Sequence, residues 1–174
     1  MIRKSIPTEI RPASIGHPAV RQITGNHDAG RMAFGIAASR FNDRITHRLL
    51  QTTVDSLTYY GAVARNITVV WVPGSFEIGS VLEELANSKQ FNSLIALGAV
   101  IQGETPHADL ISSEVTRSIS DISKRHGVPV IDGVIITHTM EQAEARSISG
   151  SEGRGWYVAR AAIEMARVFE RLKA

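Results

Sequence analysis

Apolar runs alternate with amphipathic segments over most of this 174-residue chain. Four short runs that are apolar throughout predict strands at residues 32–38, 67–72, 94–101 and 130–136. Apolar residues recurring every three or four positions predict helices at residues 45–60, 77–87, 109–126, 141–146 and 156–172. Such alternation is typical of a parallel sheet covered on both faces. The sequence therefore predicts an α/β fold, a three-layer α/β/α sandwich with a four-stranded parallel sheet in flavodoxin-like order.

The first 31 residues lack this pattern. They contain three prolines and three glycines and no sustained apolar period, which predicts a basic, flexible N-terminal arm at residues 1–31 before a single domain at residues 32–174. The stretch around Ala19, Val20 and Ile23 fits an edge strand added to a neighbour, and it fits irregular chain equally well.

The last predicted helix is apolar nearly all round, from Trp156 to Phe169. One face of a sheet does not cover so wide an apolar surface, so we expect part of this helix to pack on a second subunit of a homo-oligomer. A terminal helix deeply buried within its own chain is the alternative.

The formal net charge of +2 is unevenly distributed. The arm holds five basic and two acidic residues, so the rest of the chain carries a small negative charge. A nearly neutral domain argues against a nucleic acid as its partner. A shell-like assembly of many subunits that binds nucleic acid through the basic arm is the least favoured of the functions considered for this chain.

Several classes of protein are excluded by what the sequence lacks. There is no cysteine, which excludes disulfides, thiolate metal sites and a thiol nucleophile. No apolar run is long enough to span a membrane, and the first residues lack the apolar core of a signal peptide, so we expect a soluble cytoplasmic protein. Glu104 and His107 lack a third ligand at a suitable spacing, so no metal site is predicted.

Unusual residues follow three of the predicted strands, where ligands bind in open α/β sheets. Phe41 either stacks on a planar ring or covers the sheet edge. Ser75 to Glu77 open a helix whose free amides can hold carbonyls or hydroxyls, although Glu77 also suits the helix dipole. His107 stands just before a helix and is a candidate acid–base group. We expect the remaining histidines at the surface, namely His17, His27, His47, His126 and His138.

Arg146 ends the short helix after the fourth strand. A basic residue is favourable there for the helix dipole alone, and its planar guanidinium also suits a phosphate.

In these segments the chain resembles the lumazine synthases, which make 6,7-dimethyl-8-ribityllumazine in riboflavin biosynthesis. The matching pieces occur in family order over about residues 32–170. They are GIAASRFN at residues 35–42, WVPGSFEI at 71–78, LGAVI at 97–101 with His107, Ser113-Glu114, GVPV at 127–130, EQA at 141–143 with Arg146, and AIEMA at 162–166.

The resemblance implies a transferase that condenses 5-amino-6-(D-ribitylamino)uracil with 3,4-dihydroxy-2-butanone 4-phosphate. It implies no cofactor and no metal, His107 as the proton-transfer group, and pentamers or their multiples with active sites at subunit interfaces. Phe41 would stack on the pyrimidine, Arg146 would hold the phosphate, and Arg154 would reach a neighbouring subunit's site. The substrate-binding residues implied are Phe41, Ser75, Phe76, Glu77, Val100, Ile101, Gln102, Gly103, Glu104, Thr105, Asp132, Arg146 and Arg154.

The chain departs from the family pattern at four positions. Gln102 stands where the family usually has a basic residue, Asp132 and Ala108 where it often has aromatics, and Arg154 where it usually has Lys. We expect an active enzyme that binds substrate or product more weakly than a typical member. The alternatives are a non-catalytic paralogue that binds a flavin or pteridine, or a self-assembling scaffold.

Overall fold

Four parallel strands form the centre of the computed structural model, which describes residues 17 and 19–174. The strands are β1 (Phe34–Ser39), β2 (Ile67–Val72), β3 (Ser93–Ile101) and β4 (Val130–Thr137). Their order in the sheet is β2-β1-β3-β4, and every pairing is parallel. All four strands therefore end at the same edge of the sheet.

Five helices cover the two faces of the sheet. They are α1 (Asp43–Tyr59), α2 (Ile78–Asn87), α3 (His107–His126), α4 (Met140–Arg146) and α5 (Arg154–Lys173), with a short 3-10 turn at Ala64–Asn66. Each predicted element is present with its bounds within two residues, so the predicted three-layer α/β/α fold is confirmed. None of the helices in the described part of the chain is long and apolar enough to cross a membrane.

The alternation of side chains along β1 divides the interior into two cores. Ile36 and Ala38 pack toward α1 and α5, whereas Ala37 packs toward α2 and α3. All six residues of β1 are buried, because strands flank it on both sides and helices cover both faces. The outer strands β2 and β4 each keep one edge that no strand in the described part of the chain pairs with.

Packing of the domain begins before Met32. Gly25, His27 and Ala29 are buried, and they alternate with more exposed neighbours as in an extended segment laid on a surface. Arg167 of α5 donates two hydrogen bonds, of 3.0 and 2.8 Å, to the carbonyl oxygen of Asp28. Residues 19–25 form no strand within the chain, and residues 1–16 and 18 of the predicted arm lie outside the described residues.

The prediction that His27 lies at the surface is wrong. The residue is 5% exposed and its ring lies 5.3 Å from that of Tyr60, because the extended segment turns it toward α5. Burial lowers the pKa of His27 and Arg160 lowers it further, while Glu164, with its Oε2 3.8 Å from Nε2, opposes this shift. His126 is half-buried and lies 2.9 Å from Glu83 Oε1, whereas His17 and His47 are exposed.

Helix α5 buries one face within its own chain. Val158, Ala159, Ala162 and Ile163 are completely buried against the sheet and α1. Tyr157 is 60% exposed, so the apolar surface of this helix exceeds what the described residues cover. That a second subunit covers the exposed part of α5 stays a prediction.

We expect His27→Gln to remove part of the acid sensitivity of the fold. Because the folded-state pKa lies below the ordinary value of 6.5, the unfolded chain takes up a proton first as the pH falls. Wild-type stability should therefore decline below about pH 6.5 until the lowered pKa is passed. The measurement is Tm between roughly pH 7 and 5, where the variant should show a smaller decline. His17→Gln, at an exposed site, is the control, and equal declines in all three proteins would contradict this account.

Candidate active site

A cavity of about 560 Å³ lies beyond the carboxyl ends of β1, β2 and β3. Three loops form its walls, each of them directly following a strand. Nine of the predicted site residues line the cavity: Phe41, Ser75, Phe76, Glu77, Val100, Ile101, Gly103, Thr105 and His107. Asn42, Gly74, Ala99, Ala108 and Ile111 complete the lining. The structure thus brings together segments separated by more than sixty positions in the sequence.

Two phenylalanine rings at the cavity are largely exposed. Phe41 is 70% exposed and Phe76 is 59% exposed, although each belongs to a loop adjoining the buried sheet. The loop that carries Phe41 is fixed to its neighbour, because Arg40 N–H donates to Val72 O at 2.8 Å and Phe41 N–H to Pro73 O at 3.0 Å. An exposed aromatic face on a fixed backbone is well suited to stack on a planar ligand.

Asn42 holds the same loop in place, and sequence reasoning assigned it no role. Its φ is 59° and its ψ is 44°, in the left-handed region that asparagine enters more readily than other side chains. Its Nδ2 donates to the carbonyl oxygen of Ala99 in β3 at 3.0 Å. An asparagine directly before a helix and after an aromatic residue is the signal that could have identified it.

The second loop is stabilised by its own polar groups. Glu77 Oε2 accepts a hydrogen bond from Gly74 N–H at 2.8 Å, so the carboxylate closes the turn at the start of α2. This contact is compatible with a structural role of Glu77 at the start of α2. Because the side chain also lines the cavity, the contact is equally compatible with a role in ligand binding.

A buried pair of serines lies beneath this loop. The Ser75 hydroxyl donates to the Ser39 hydroxyl at 3.5 Å across the ends of β2 and β1. Gly98 of β3 lies directly against this pair, because a Cβ there would come within 2.7 Å of Ser75 Oγ and 2.9 Å of Ser39 Oγ. Any larger residue at position 98 would therefore displace the floor of the cavity.

The third loop connects β3 to α3. Gln102 Nε2 donates to Thr105 O at 3.2 Å, and Gln102 N–H donates to Thr137 O at 2.8 Å. The Gln102 side chain is thus folded onto its own loop and does not line the cavity. His107 is the first residue of α3, is exposed, and lines the cavity, which leaves its ring accessible to a ligand.

The other predicted site residues do not line this cavity. Glu104 is exposed on the third loop, next to residues that do line it. Arg146 is the exposed last residue of α4, and this helix follows the carboxyl end of β4 at the same edge of the sheet.

Asp132 and Arg154 form a separate pair. Arg154 donates to the carbonyl oxygen of Asp132 at 2.9 Å, and Asp132 Oδ1 accepts from Val134 N–H at 2.9 Å. Asp132 pairs with Ala96 in the sheet, five positions before Thr137, which pairs with Ile101. Five residues of strand span roughly 16 Å, so Asp132 is far from the cavity of its own chain. Asp132 lies on β4, one of the two outer strands with an edge that is unpaired among the described residues.

The arrangement combines three chemical capabilities. The exposed phenylalanine rings can bind a planar ring, and the free amides at the start of α2 can bind its polar edge. The imidazole of His107 can accept and return a proton beside that ring. Within the described residues, no group of three or more histidine, aspartate or glutamate side chains is placed to hold a metal ion.

Comparison with known proteins links this chain to one family. Residues 31–170 match the family model described as 6,7-dimethyl-8-ribityllumazine synthase. The protein of that name from Desulfatibacillum aliphaticivorans is 42% identical over 153 residues, which cover 88% of this chain and 99% of the relative. The one from Syntrophus aciditrophicus is 45% identical over 141 residues, covering 81% and 92%, and the one from Clostridium kluyveri is 41% identical over 149 residues, covering 86% and 97%.

Replacing Asn42 should separate its two contributions to the loop. Asn42→Gly keeps the left-handed backbone and loses only the bond to Ala99, at a cost of about 1 kcal/mol in the free energy of unfolding. Asn42→Ala also places a Cβ in an unfavourable conformation, which adds about 1 kcal/mol. Urea denaturation should rank the proteins wild type, Asn42→Gly, Asn42→Ala in falling stability. An alanine variant more stable than the glycine variant would show that the backbone conformation is not the constraint.

Proposed function

The chain belongs to the 6,7-dimethyl-8-ribityllumazine synthase family, and we propose that it condenses 5-amino-6-(D-ribitylamino)uracil with 3,4-dihydroxy-2-butanone 4-phosphate. The products are 6,7-dimethyl-8-ribityllumazine, phosphate and water. One observation carries this proposal: Phe41, Glu77 and His107, from three separate loops, meet at one cavity in a chain of this family. The reaction belongs to riboflavin biosynthesis.

The pyrimidine substrate would bind against the phenylalanine rings. Phe41 would stack on its ring, and the exposure of this side chain in the free protein supports that role. Backbone groups of Val100 and Ile101 would pair with the edge of the ring. Ser75, Phe76 and Glu77 would bind the ring and the ribityl hydroxyls, the first two through their backbone and Glu77 through its carboxylate.

His107 would move the protons. As the substrate amine attacks the ketone, the nitrogen loses a proton and the carbonyl oxygen gains one before water leaves. Removal of the proton from the carbon next to the imine then expels phosphate and leaves an enol, which becomes a methyl ketone as its terminal carbon gains a proton and its hydroxyl loses one. The second amine condenses with this ketone and closes the ring with loss of another water. An imidazole that accepts and returns protons serves each of these steps, and none of them requires an oxidant, a reductant or a metal.

The phosphate would lie at the third loop. Gly103 has open space where a Cβ would stand, which leaves its backbone accessible to an anion. The amides of Glu104 and Thr105 would bind the phosphate together with Arg146 from the adjacent α4. Gln102 supplies no charge here, and its amide is engaged with Thr105 O. We therefore expect weaker phosphate binding than a basic residue at position 102 would give.

Asp132 and Arg154 would complete the site of a neighbouring subunit. Their distance from the cavity of their own chain and the open edge of β4 support this assignment. The proposed assembly is a pentamer or a multiple of pentamers with active sites at subunit interfaces. A carboxylate facing an aromatic substrate loses hydration without gaining a partner, so Asp132 would weaken ring binding. Ala108, which is small, would leave further space in the cavity.

A non-catalytic protein that binds a flavin or pteridine, or serves as a scaffold, is the second candidate. The observation that favours it is the uncharged Gln102, whose side chain turns away from the cavity. Retention of His107 and Arg146 argues for the enzyme.

An absorbance assay for lumazine formation tests the proposal. His107→Ala should lower kcat by a factor of about 10² or more, because proton transfer then falls to water. Arg146→Ala should chiefly impair use of the phosphorylated substrate, raising its KM by about tenfold or more. Arg65→Ala, an exposed arginine at the opposite end of the sheet, is the matched control and should behave as wild type.

Two results of this assay would contradict the proposal. If the wild-type protein forms no product above the spontaneous background, the enzyme proposal is wrong, and binding of flavin or pteridine by the same protein would then favour the second candidate. A near-normal rate for Arg146→Ala at low concentrations of the phosphorylated substrate would refute its role as phosphate ligand.

A further inference from the structure

A second and larger cavity, of about 1070 Å³, lies at the amino ends of the strands. Its walls come from the start of β1, the carboxyl ends of α2 and α3, and the last turns of α5. We call it the amino-end groove. It shares no lining residue with the cavity at the carboxyl ends, and the length of β3 places the two roughly 23 Å apart. The proposed condensation therefore makes no use of this groove.

The floor of the amino-end groove is apolar. Met32 and Leu94 are buried beneath it, and Leu85, Phe91 and Phe169 are only half-buried where they line it. Burial of partly exposed apolar side chains beneath a ligand is favourable, because the ligand displaces water from them. The volume of about 1070 Å³ lies just above the range of about 300–1,000 Å³ that is usual for small-molecule sites.

Basic residues surround this floor. Arg31 and Lys89 are exposed and form no ion pair with any acid in the described part of the chain. Lys173 lies over the Phe169 ring, with Nζ 5.9 Å from its centre, and donates to Gly127 O at 3.0 Å. These three cations stand at the rim without a carboxylate partner among the described residues.

The acids that line the groove are already bound to a different base. Arg167 lies 3.4 Å from Asp28 Oδ2 and 2.8 Å from Glu170 Oε2, so both acids are paired with this arginine and not with the rim cations. His126 is likewise held by Glu83 at 2.9 Å. The side chains that line the groove therefore carry a surplus of two positive charges, and a free carboxylate at Ala174 would reduce this surplus to one.

Two of the rim residues occupy unfavourable backbone conformations. Arg31 has a φ of 66° and Lys89 a φ of 55°, in the left-handed region where glycine or asparagine is favoured. In the described part of the chain, the only other non-glycine residue with positive φ is Asn42, which lines the candidate active site. Glycine would adopt this backbone conformation with less strain than a long basic side chain does. Strained residues of this kind are often found at ligand-binding sites, which is consistent with a role of these two charges in binding a ligand.

We propose that the amino-end groove binds a small organic anion that combines an aromatic body with a phosphate or similar acidic group. The body would lie on Leu85, Phe91 and Phe169, and the acidic group would lie near Arg31, Lys89 and Lys173. The apolar floor and the cationic rim select together for such a ligand. A purely apolar molecule would leave the charges unpaired, and a bare inorganic anion would leave the floor exposed to water.

Isothermal titration calorimetry on the full chain, with 1-naphthyl phosphate as the probe, tests this proposal. Inorganic phosphate and 1-naphthol represent the two halves of the probe, and both should bind about tenfold or more weakly than the whole. The double variant Arg31→Gln/Lys89→Gln should weaken binding of 1-naphthyl phosphate by about tenfold while the rate of lumazine formation stays unchanged. Arg146→Ala, which affects the other cavity, should retain this binding.

A second pair of variants separates binding from folding. Arg31→Gly/Lys89→Gly removes the same charges and also relieves the left-handed backbone, so its Tm should rise while its affinity falls. The proposal is overturned if wild-type protein does not bind 1-naphthyl phosphate, if either half binds as tightly as the whole, or if both double variants bind as wild type does. Loss of binding in Arg146→Ala alone would assign the probe to the other cavity and would also overturn it.

Discussion

The parallel pairing of β1 with β2 and β3 is the constraint on which the candidate active site depends. Because β1 is buried on both faces and flanked on both sides, its direction and register fix where the neighbouring strands end. All three strands deliver their loops to one edge, where Phe41, Glu77 and His107 meet. The same geometry leaves a separate groove at the amino ends of the strands, which is apolar in its floor and basic at its rim.

The loops at the carboxyl edge are held by contacts that a ligand does not have to create. Asn42 binds β3, Glu77 closes the turn before α2, and Gln102 binds its own loop. Such preorganisation lowers the cost of positioning two substrates for reaction. It also explains why Phe41 can stay exposed, since the backbone around it is fixed by the β1–β2 ladder rather than by burial of the ring.

The sequence predicted the strands, the helices and the strand-end loops, because apolar periodicity and turn residues report directly on local structure. It did not predict that His27 is buried, since burial there comes from an extended segment packing on α5, a contact between residues far apart in sequence. The role of Asn42 is not predictable from apolar periodicity, because a left-handed conformation leaves only a weak local signal in the sequence. The remoteness of Asp132 from its own cavity required the register of β3 and β4, which no single-strand pattern contains.

We propose that the cavity of one subunit is completed by Arg154 of a neighbour. Mixing His107→Ala with Arg154→Ala subunits during assembly tests it most directly. Each variant alone should be nearly inactive, whereas random co-assembly should restore activity to about a quarter of the sites, those in which an intact His107 faces an intact Arg154. A mixture no more active than the sum of its separate components would contradict the claim.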